Sequence, residues 1–151
     1  MKLVLYIISI AFFINNLEAE NIAFEKGLLK IQTNNNEYIF NIEIAASYKQ
    51  RSLGLMHRKT LGQNQGMIFI YPKEQIVKMW MKNTYMPLDM IFIKKNGIIE
   101  SIIKMTKPRD LTPIGPNLPV KAVLELNGGI TTYLNINKGD IVIHKYITNA
   151  N

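Results

Sequence analysis

Residues 78–92, KMWMKNTYMPLDMIF, concentrate the side chains of this chain that could line a binding site. The stretch holds the only tryptophan, Trp80, and four of the eight methionines around a Lys-Asn-Thr step and a Pro-Leu-Asp step. Large apolar side chains around a few polar groups are the usual lining of a small-molecule pocket. The same bulk also suits a folding core, because Trp and Met make large, adaptable apolar contacts. Both interpretations stay open at this point.

The segment that leads into this stretch indicates which side chains could face a ligand. Residues 76–82, IVKMWMK, alternate in a way that is typical of a half-buried strand. One side carries Val77, Met79 and Met81, and the other carries Lys78, Trp80 and Lys82. Trp80 therefore shares a face with two lysines, which is an unusual place for a core tryptophan. We expect it at a wet, concave site.

Short strands dominate the rest of the chain. Alternating or continuous apolar runs bounded by turn residues predict strands at LLKIQT (28–33), EYIFNIEIA (37–45), MIFIY (67–71), DMIFIK (89–94), IIESIIKM (98–105), KAVLELN (121–127) and IVIHKYI (141–147). Pro72 is expected to end the third of these runs, and Asn96-Gly97 is a strong hairpin signal.

Two segments break the strand pattern and predict short helices. Residues 47–58 begin with Ser47, which can cap a helix, and residues 130–137 form a short helix or turn. Residues 106–120 carry four prolines and are predicted to be a long ordered loop. These elements predict a mostly β, single-domain antiparallel β-sandwich or barrel-like fold with one or two short helices.

The amino terminus has the layout of a secretory signal peptide. Lys2 is followed by an apolar run from Leu3 to Ile14, and a polar stretch then ends near Ala19. We expect cleavage after residue 19, leaving a single domain at 20–151 in a periplasmic or secreted location. An uncleaved membrane anchor is the alternative, because Leu17 is larger than the residue usually found three positions before the cut.

Composition narrows the possible partners. The chain has no cysteine, which excludes disulfides and thiolate chemistry, and its net charge is +7. A basic exported protein can meet an anionic surface of the cell envelope. We expect no nucleic-acid partner, because the basic residues form no stripe with interleaved aromatics. We also expect a monomer.

Several motifs in fixed order carry a resemblance to a known family. They are RSLGLMHRKTLGQNQGMIFIY, WMKNTYMPLDMIF, NGII, AVLELNGG and KGD before an apolar strand. Together they resemble the DUF192 family (domain of unknown function 192) over about residues 26–146. The resemblance implies a compact, mostly β fold, often behind a signal peptide. It implies no activity, since none is established for the family.

The polar residues within these motifs need partners, unlike the apolar ones. The candidate ligand-binding residues are Arg51, Arg58, Trp80, Lys82, Asn83, Thr84 and Asp89. An arginine can bind an anionic or hydroxylated ligand, and Trp80 can stack against a ring of that ligand. Asn83 and Asp89 could orient the ligand through hydrogen bonds. The alternative is structural: Asn83 and Thr84 as turn residues, and Asp89 as a turn cap or an ion-pair partner of Arg51 or Arg58.

The chain offers little evidence of catalysis. His57 and His144 lie outside any nucleophile motif, and no serine elbow is present. Asp89 and Glu125 could form a carboxylate pair for glycoside cleavage, but Glu125 alternates with two leucines and could equally face solvent. The interpretation leans towards a protein that is not an enzyme and has no cofactor.

The sequence therefore predicts a protein that binds a polar small molecule or a glycan between the helix at 47–58 and the turn at 80–89. One alternative is an envelope structural or interaction protein, which an exposed apolar patch beside Trp80 would favour. Another is a Cu(I)-binding protein, in which Met79 and Met81 point into one open site. For these methionines, core packing is the competing interpretation.

Overall fold

The computed structural model describes residues 22–147, and the predicted signal peptide at 1–19 lies outside them. Seven strands and two short helices follow one another in the order β1 (Glu25–Gln32), β2 (Glu37–Ala45), α1 (Tyr48–Leu53), β3 (Gln65–Ile76), β4 (Leu88–Ile93), β5 (Ile99–Ile103), β6 (Pro119–Asn127), α2 (Ile130–Tyr133) and β7 (Ile141–Ile143). The prediction of a mostly β, sandwich- or barrel-like fold with one or two short helices is confirmed.

The strands form one sheet that is nearly closed into a barrel, in the order β5-β4-β6-β3-β2-β1-β7. All neighbours are antiparallel except β2 and β3, which are parallel because the chain crosses between them through α1. The two edges approach each other where the Val142 N–H donates to the Gly97 carbonyl at 2.8 Å and the Ile99 N–H donates to the Asp140 carbonyl at 2.9 Å.

Alternation along the strands produces two apolar clusters, one on each face of the sheet. The inner cluster fills the barrel with side chains from all seven strands, such as Ile31, Phe40 and Leu124. The outer cluster lies on the opposite face of β3, β4 and β6 and includes Met67 and Met90. Strands β4 and β6 are therefore buried on both faces, and a second layer of chain must cover the outer cluster.

Helix α1 is part of that second layer, and it is shorter than the predicted 47–58. Ser47 caps it as expected: its hydroxyl accepts from the Gln50 N–H at 3.2 Å, and the Gln50 side chain accepts from the Ser47 N–H at 2.9 Å. The helix stops at Leu53, because Gly54 adopts a φ of 50° and leaves the helical path.

Strand β3 differs from its predicted end at Pro72. It continues to Ile76, and its pairing with β6 breaks between Ile70 and Gln75. This irregularity accommodates a proline, which has no N–H to donate to the neighbouring strand. The predicted strand at 76–82 is reduced to a single bridge between Met79 and Ile114.

None of the helices between residues 22 and 147 is long and apolar enough to cross a membrane.

Candidate functional site

Two surface segments lie side by side over the outer cluster and define the region of the site. Met79 and Ile114 exchange both of their backbone hydrogen bonds, at 2.7 and 2.8 Å. Both side chains pack against the outer cluster. We call this pair of segments the outer ribbon, and it consists of residues 76–85 and 107–118.

The first segment of the outer ribbon keeps the predicted alternation. Val77 and Met81 are buried, whereas Lys78, Trp80 and Lys82 are exposed. Trp80 is 50% exposed, and the Lys82 ammonium lies 5.2 Å from the centre of its indole ring. Trp80 is therefore a surface side chain with about half of its area open to solvent.

A cleft of about 110 Å³ opens between α1 and the outer ribbon, roughly the volume of four liquid water molecules. Its wall brings together four of the predicted residues, Arg51, Trp80, Lys82 and Thr84. The cleft can hold one small polar group, or the tip of a larger molecule that rests on the half-exposed Trp80.

Arg51 is held rigidly at the wall of this cleft. One guanidinium nitrogen, Nη1, donates to the Ala46 carbonyl and, at 3.1 Å, to the Ile70 carbonyl. The guanidinium carbon also lies 5.2 Å from the centre of the Tyr71 ring. A guanidinium fixed in this way loses little conformational freedom when it meets a ligand.

Glu125 is the most unusual polar residue of the cleft. Its side chain extends from β6 onto the outer face, in register with Met67 on one side and Met90 on the other. It is 4% exposed, and it makes no hydrogen bond or ion pair with any other residue between 22 and 147. Burial raises the pKa of this carboxyl from 4.5 to about 8. At neutral pH Glu125 is therefore mostly a protonated acid that can donate as well as accept a hydrogen bond.

Tyr71 interacts electrostatically with both Arg51 and Glu125 in the cleft. Burial raises the pKa of its phenol to about 12, while Arg51 acts to lower it and Glu125 to raise it. Its hydroxyl donates to the Met79 sulfur at 3.6 Å, which is a weak hydrogen bond. The phenol thus stays neutral and closes the cleft on the side of β3.

Sequence comparison identifies the family. The family model DUF192, described as Uncharacterized ACR, matches residues 29–144, which is most of the chain. The chain belongs to the DUF192 family. No curated protein matches it at a significant level.

Two solved structures show that this DUF192 fold recurs. A candidate transcription regulator from Sinorhizobium meliloti 1021 is 35% identical, with a TM-score of 0.79 over 81% of this chain and 95% of that one. A protein of unknown function from Novosphingobium aromaticivorans DSM 12444 is 32% identical, with a TM-score of 0.77 over 83% of this chain and 95% of that one.

Asp89, in the signature of this DUF192 chain, lies away from the cleft, contrary to the prediction. It is fully buried on the inner face of β4, and both of its oxygens are occupied. Oδ1 accepts from the N–H groups of Met105 and Gly129, each at 2.9 Å, and Oδ2 accepts from the Thr131 N–H at 3.0 Å and the Thr131 hydroxyl at 2.6 Å. Asp89 is a structural residue that fixes the start of α2, and it is not paired with an arginine.

Asp89 and Glu125 do not form the carboxylate pair that the sequence left open. Asp89 is in register with Leu126, whereas the neighbouring Glu125 is in register with Met90. Successive residues of a strand point to opposite faces of a sheet. The two carboxyls therefore lie on opposite faces of β4 and β6 and cannot act on one bond.

Two more predicted residues have structural partners and do not line the cleft. Arg58 forms an ion pair with Glu43, and its guanidinium carbon lies 5.7 Å from the centre of the Phe24 ring. Asn83 has a φ of 52°, a left-handed conformation that asparagine tolerates well, and its carbonyl accepts from the His57 N–H at 2.8 Å. The turn interpretation accounts for Asn83.

The geometry does not support the copper interpretation. The Met81 sulfur is buried and accepts from the Thr106 hydroxyl at 3.2 Å, whereas the Met79 sulfur accepts from Tyr71. Met79 lines the cleft, but Met81 does not. The two thioethers therefore do not meet in one open site, and core packing accounts for Met81.

Proposed function

We propose that this protein is an exported binding protein that holds a small polar molecule, or the end of a glycan, in the cleft between α1 and the outer ribbon. Export rests on the signal-peptide layout of residues 1–19. Binding rests on one observation above all, which is the Glu125 carboxyl: its side chain is 4% exposed, it makes no hydrogen bond or ion pair with residues 22–147, and it lines this cleft.

An unpartnered buried carboxyl lowers the stability of the fold, because its lost hydration is not replaced by protein hydrogen bonds. The chain could hold an apolar residue at this position without that cost. A ligand that supplies the missing hydrogen bonds would offset this cost, which explains why a carboxyl is placed here. Asp89 offers the contrast, since its two oxygens are satisfied by four hydrogen bonds from the fold itself.

The cleft also provides different groups for different parts of a ligand. Trp80 offers an exposed ring on which a sugar face can stack. Arg51 and Lys82 bring positive charge to the wall, and Thr84 and Glu125 offer hydrogen bonds. A hydroxylated ligand, with or without a negative group, matches this arrangement.

Thermal unfolding of the full chain against a panel of monosaccharides, acidic sugars, hydroxy acids and amino acids tests the proposal. A bound ligand at about 100 times its Kd stabilises the fold by about 2.7 kcal/mol. We expect the wild type to be stabilised by one class of compound, and Trp80→Ala and Glu125→Leu to lose that response while remaining folded.

Tyr133→Ala is the matched control, since Tyr133 is an exposed aromatic on α2 that does not line the cleft. It should respond to the ligand as the wild type does. If Glu125→Leu keeps the full response, the ligand does not contact this carboxyl and the proposal fails. Amino-terminal sequencing of the exported protein, with Glu20 expected as the first residue, tests the export step separately.

A further inference from the structure

The outer ribbon exposes five large apolar side chains. They are each about half exposed or more, and they are Ile76, Trp80, Tyr85, Leu111 and Leu118. Large apolar groups exposed together on a soluble domain generally mark a surface that contacts another body. This set extends beyond the small cleft, because only Trp80 among the five lines it.

The charges on the outer ribbon are almost all positive. Its exposed cations are Lys78, Lys82, Lys107 and Arg109. The one acidic residue is Asp110, whose carboxylate accepts from the Thr112 N–H at 2.9 Å. Apolar side chains interspersed with cations favour a partner that is both apolar and negatively charged.

The two segments of the outer ribbon are held firmly together. The Lys78 ammonium donates to the Gly115 carbonyl at 2.6 Å and to the Asn117 side chain at 2.9 Å. The Arg109 N–H donates to the Thr84 carbonyl at 3.0 Å. The exposed side chains therefore project from a fixed backbone, so the outer ribbon loses little conformational entropy when it binds a partner.

A second exposed apolar group provides a comparison within the same molecule. Ile39 and Ile143 flank Lys30 on the outer face of β2, β1 and β7. The Lys30 ammonium pairs with Glu37 at 2.9 Å, so its charge is balanced. That face has apolar groups but lacks the positive excess of the outer ribbon.

We propose that the outer ribbon docks the protein on the surface of an anionic lipid bilayer. Tryptophan and tyrosine favour the boundary between lipid headgroups and hydrocarbon, and lysine and arginine are attracted to anionic headgroups. Leu111 and Leu118 insert as separate side chains. A fluid bilayer can accept them because its acyl chains rearrange around each side chain, whereas a protein partner would need a complementary groove. This surface would place the cleft beside the membrane, and it stands independently of what the cleft binds.

The only tryptophan of the chain lies in the outer ribbon and reports contact directly. The experiment titrates the exported protein, beginning at Glu20, with vesicles containing equal parts of phosphatidylglycerol and phosphatidylcholine and records Trp80 emission. We expect a blue shift, weaker binding in added salt, and little shift with pure phosphatidylcholine. Lys107→Gln with Arg109→Gln should weaken binding by about 25-fold, from about fivefold for each charge. Leu111→Ser with Leu118→Ser should weaken it by about tenfold or more.

Two double variants on other faces serve as matched controls. Lys26→Gln with Lys95→Gln removes the same charge, and Leu28→Ser with Ile39→Ser removes exposed apolar groups from β1 and β2. Both should bind vesicles nearly as the wild type does. Circular dichroism confirms that each variant folds.

Three results would overturn the proposal. One is vesicle binding without a Trp80 shift, which would place the contact elsewhere in the chain. Another is equal weakening by the control variants. The third is a Trp80 shift with heparin or single-stranded DNA but none with anionic vesicles, which would assign the outer ribbon to a soluble polyanion. None of the four substituted ribbon residues lines the cleft, so these results leave the ligand test unaffected.

Discussion

Replacing Glu125 by glutamine should stabilise the protein at neutral pH. The folded chain holds this carboxyl at a pKa of about 8, against 4.5 for the ordinary group. Because the folded pKa is raised, the unfolded chain releases the proton first, and stability falls as the pH rises from about 4.5 to about 8. The loss is about 1.4 kcal/mol per pH unit, or about 3 kcal/mol at pH 7. Glutamine has a similar shape and no proton to lose, so it avoids this loss.

Urea unfolding of the wild type and Glu125→Gln at pH 5, 6, 7 and 8 measures the effect. The difference between the two free energies of unfolding should grow with pH to about 4 kcal/mol at pH 8. Other titrating groups contribute to both proteins alike; among them is His144, whose pKa burial lowers. If the free energies of unfolding of the two proteins change with pH by the same amount across this range, the carboxyl is not held neutral by burial and the account of Glu125 is wrong.

Three further substitutions test the structural assignments by chemical denaturation. Asp89→Asn should lower the free energy of unfolding by about 3 kcal/mol or more, because an amide NH₂ would face the N–H donors that now bind the carboxylate, including that of Thr131. A decrease below about 1 kcal/mol would contradict the structural role. Gly115→Ala should cost about 2 kcal/mol or more, since its Cβ would lie 2.4 Å from the Val77 carbonyl oxygen, and an unchanged midpoint would refute the close approach. Asn83→Gly should be nearly neutral and Asn83→Val should cost about 1–2 kcal/mol; equal values would contradict the φ of 52°.

The sequence predicted the strands well because their signals are local. The alternation in EYIFNIEIA matches β2 at Glu37–Ala45, and DMIFIK lies within one residue of β4 at Leu88–Ile93. Ser47 was also identified correctly, since capping depends on a neighbour three residues away. The family resemblance is confirmed for the same reason, as its motifs are short and contiguous.

The errors come from contacts between residues that are distant in sequence. Glu125 alternates with leucines, which predicts one buried face and one wet face, but β6 is covered on both faces. Its burial depends on the outer ribbon and α1, which the pattern of β6 cannot show. The partners of Asp89 lie 16 to 42 residues away, and the ion pair of Arg58 with Glu43 joins residues 15 apart.

The WMKNT part and the PLD part of the signature have different roles. The chain passes from one layer of the fold to another between them. Trp80 and Lys82 belong to the outer ribbon and face outward, with Thr84 on the wall of the cleft. Asp89 lies inside β4 and fixes the start of α2 through Thr131. A shared motif is therefore not evidence that its residues share a site. In this chain the outer half of the motif carries the candidate function, and Glu125, which belongs to a different motif, completes the cleft.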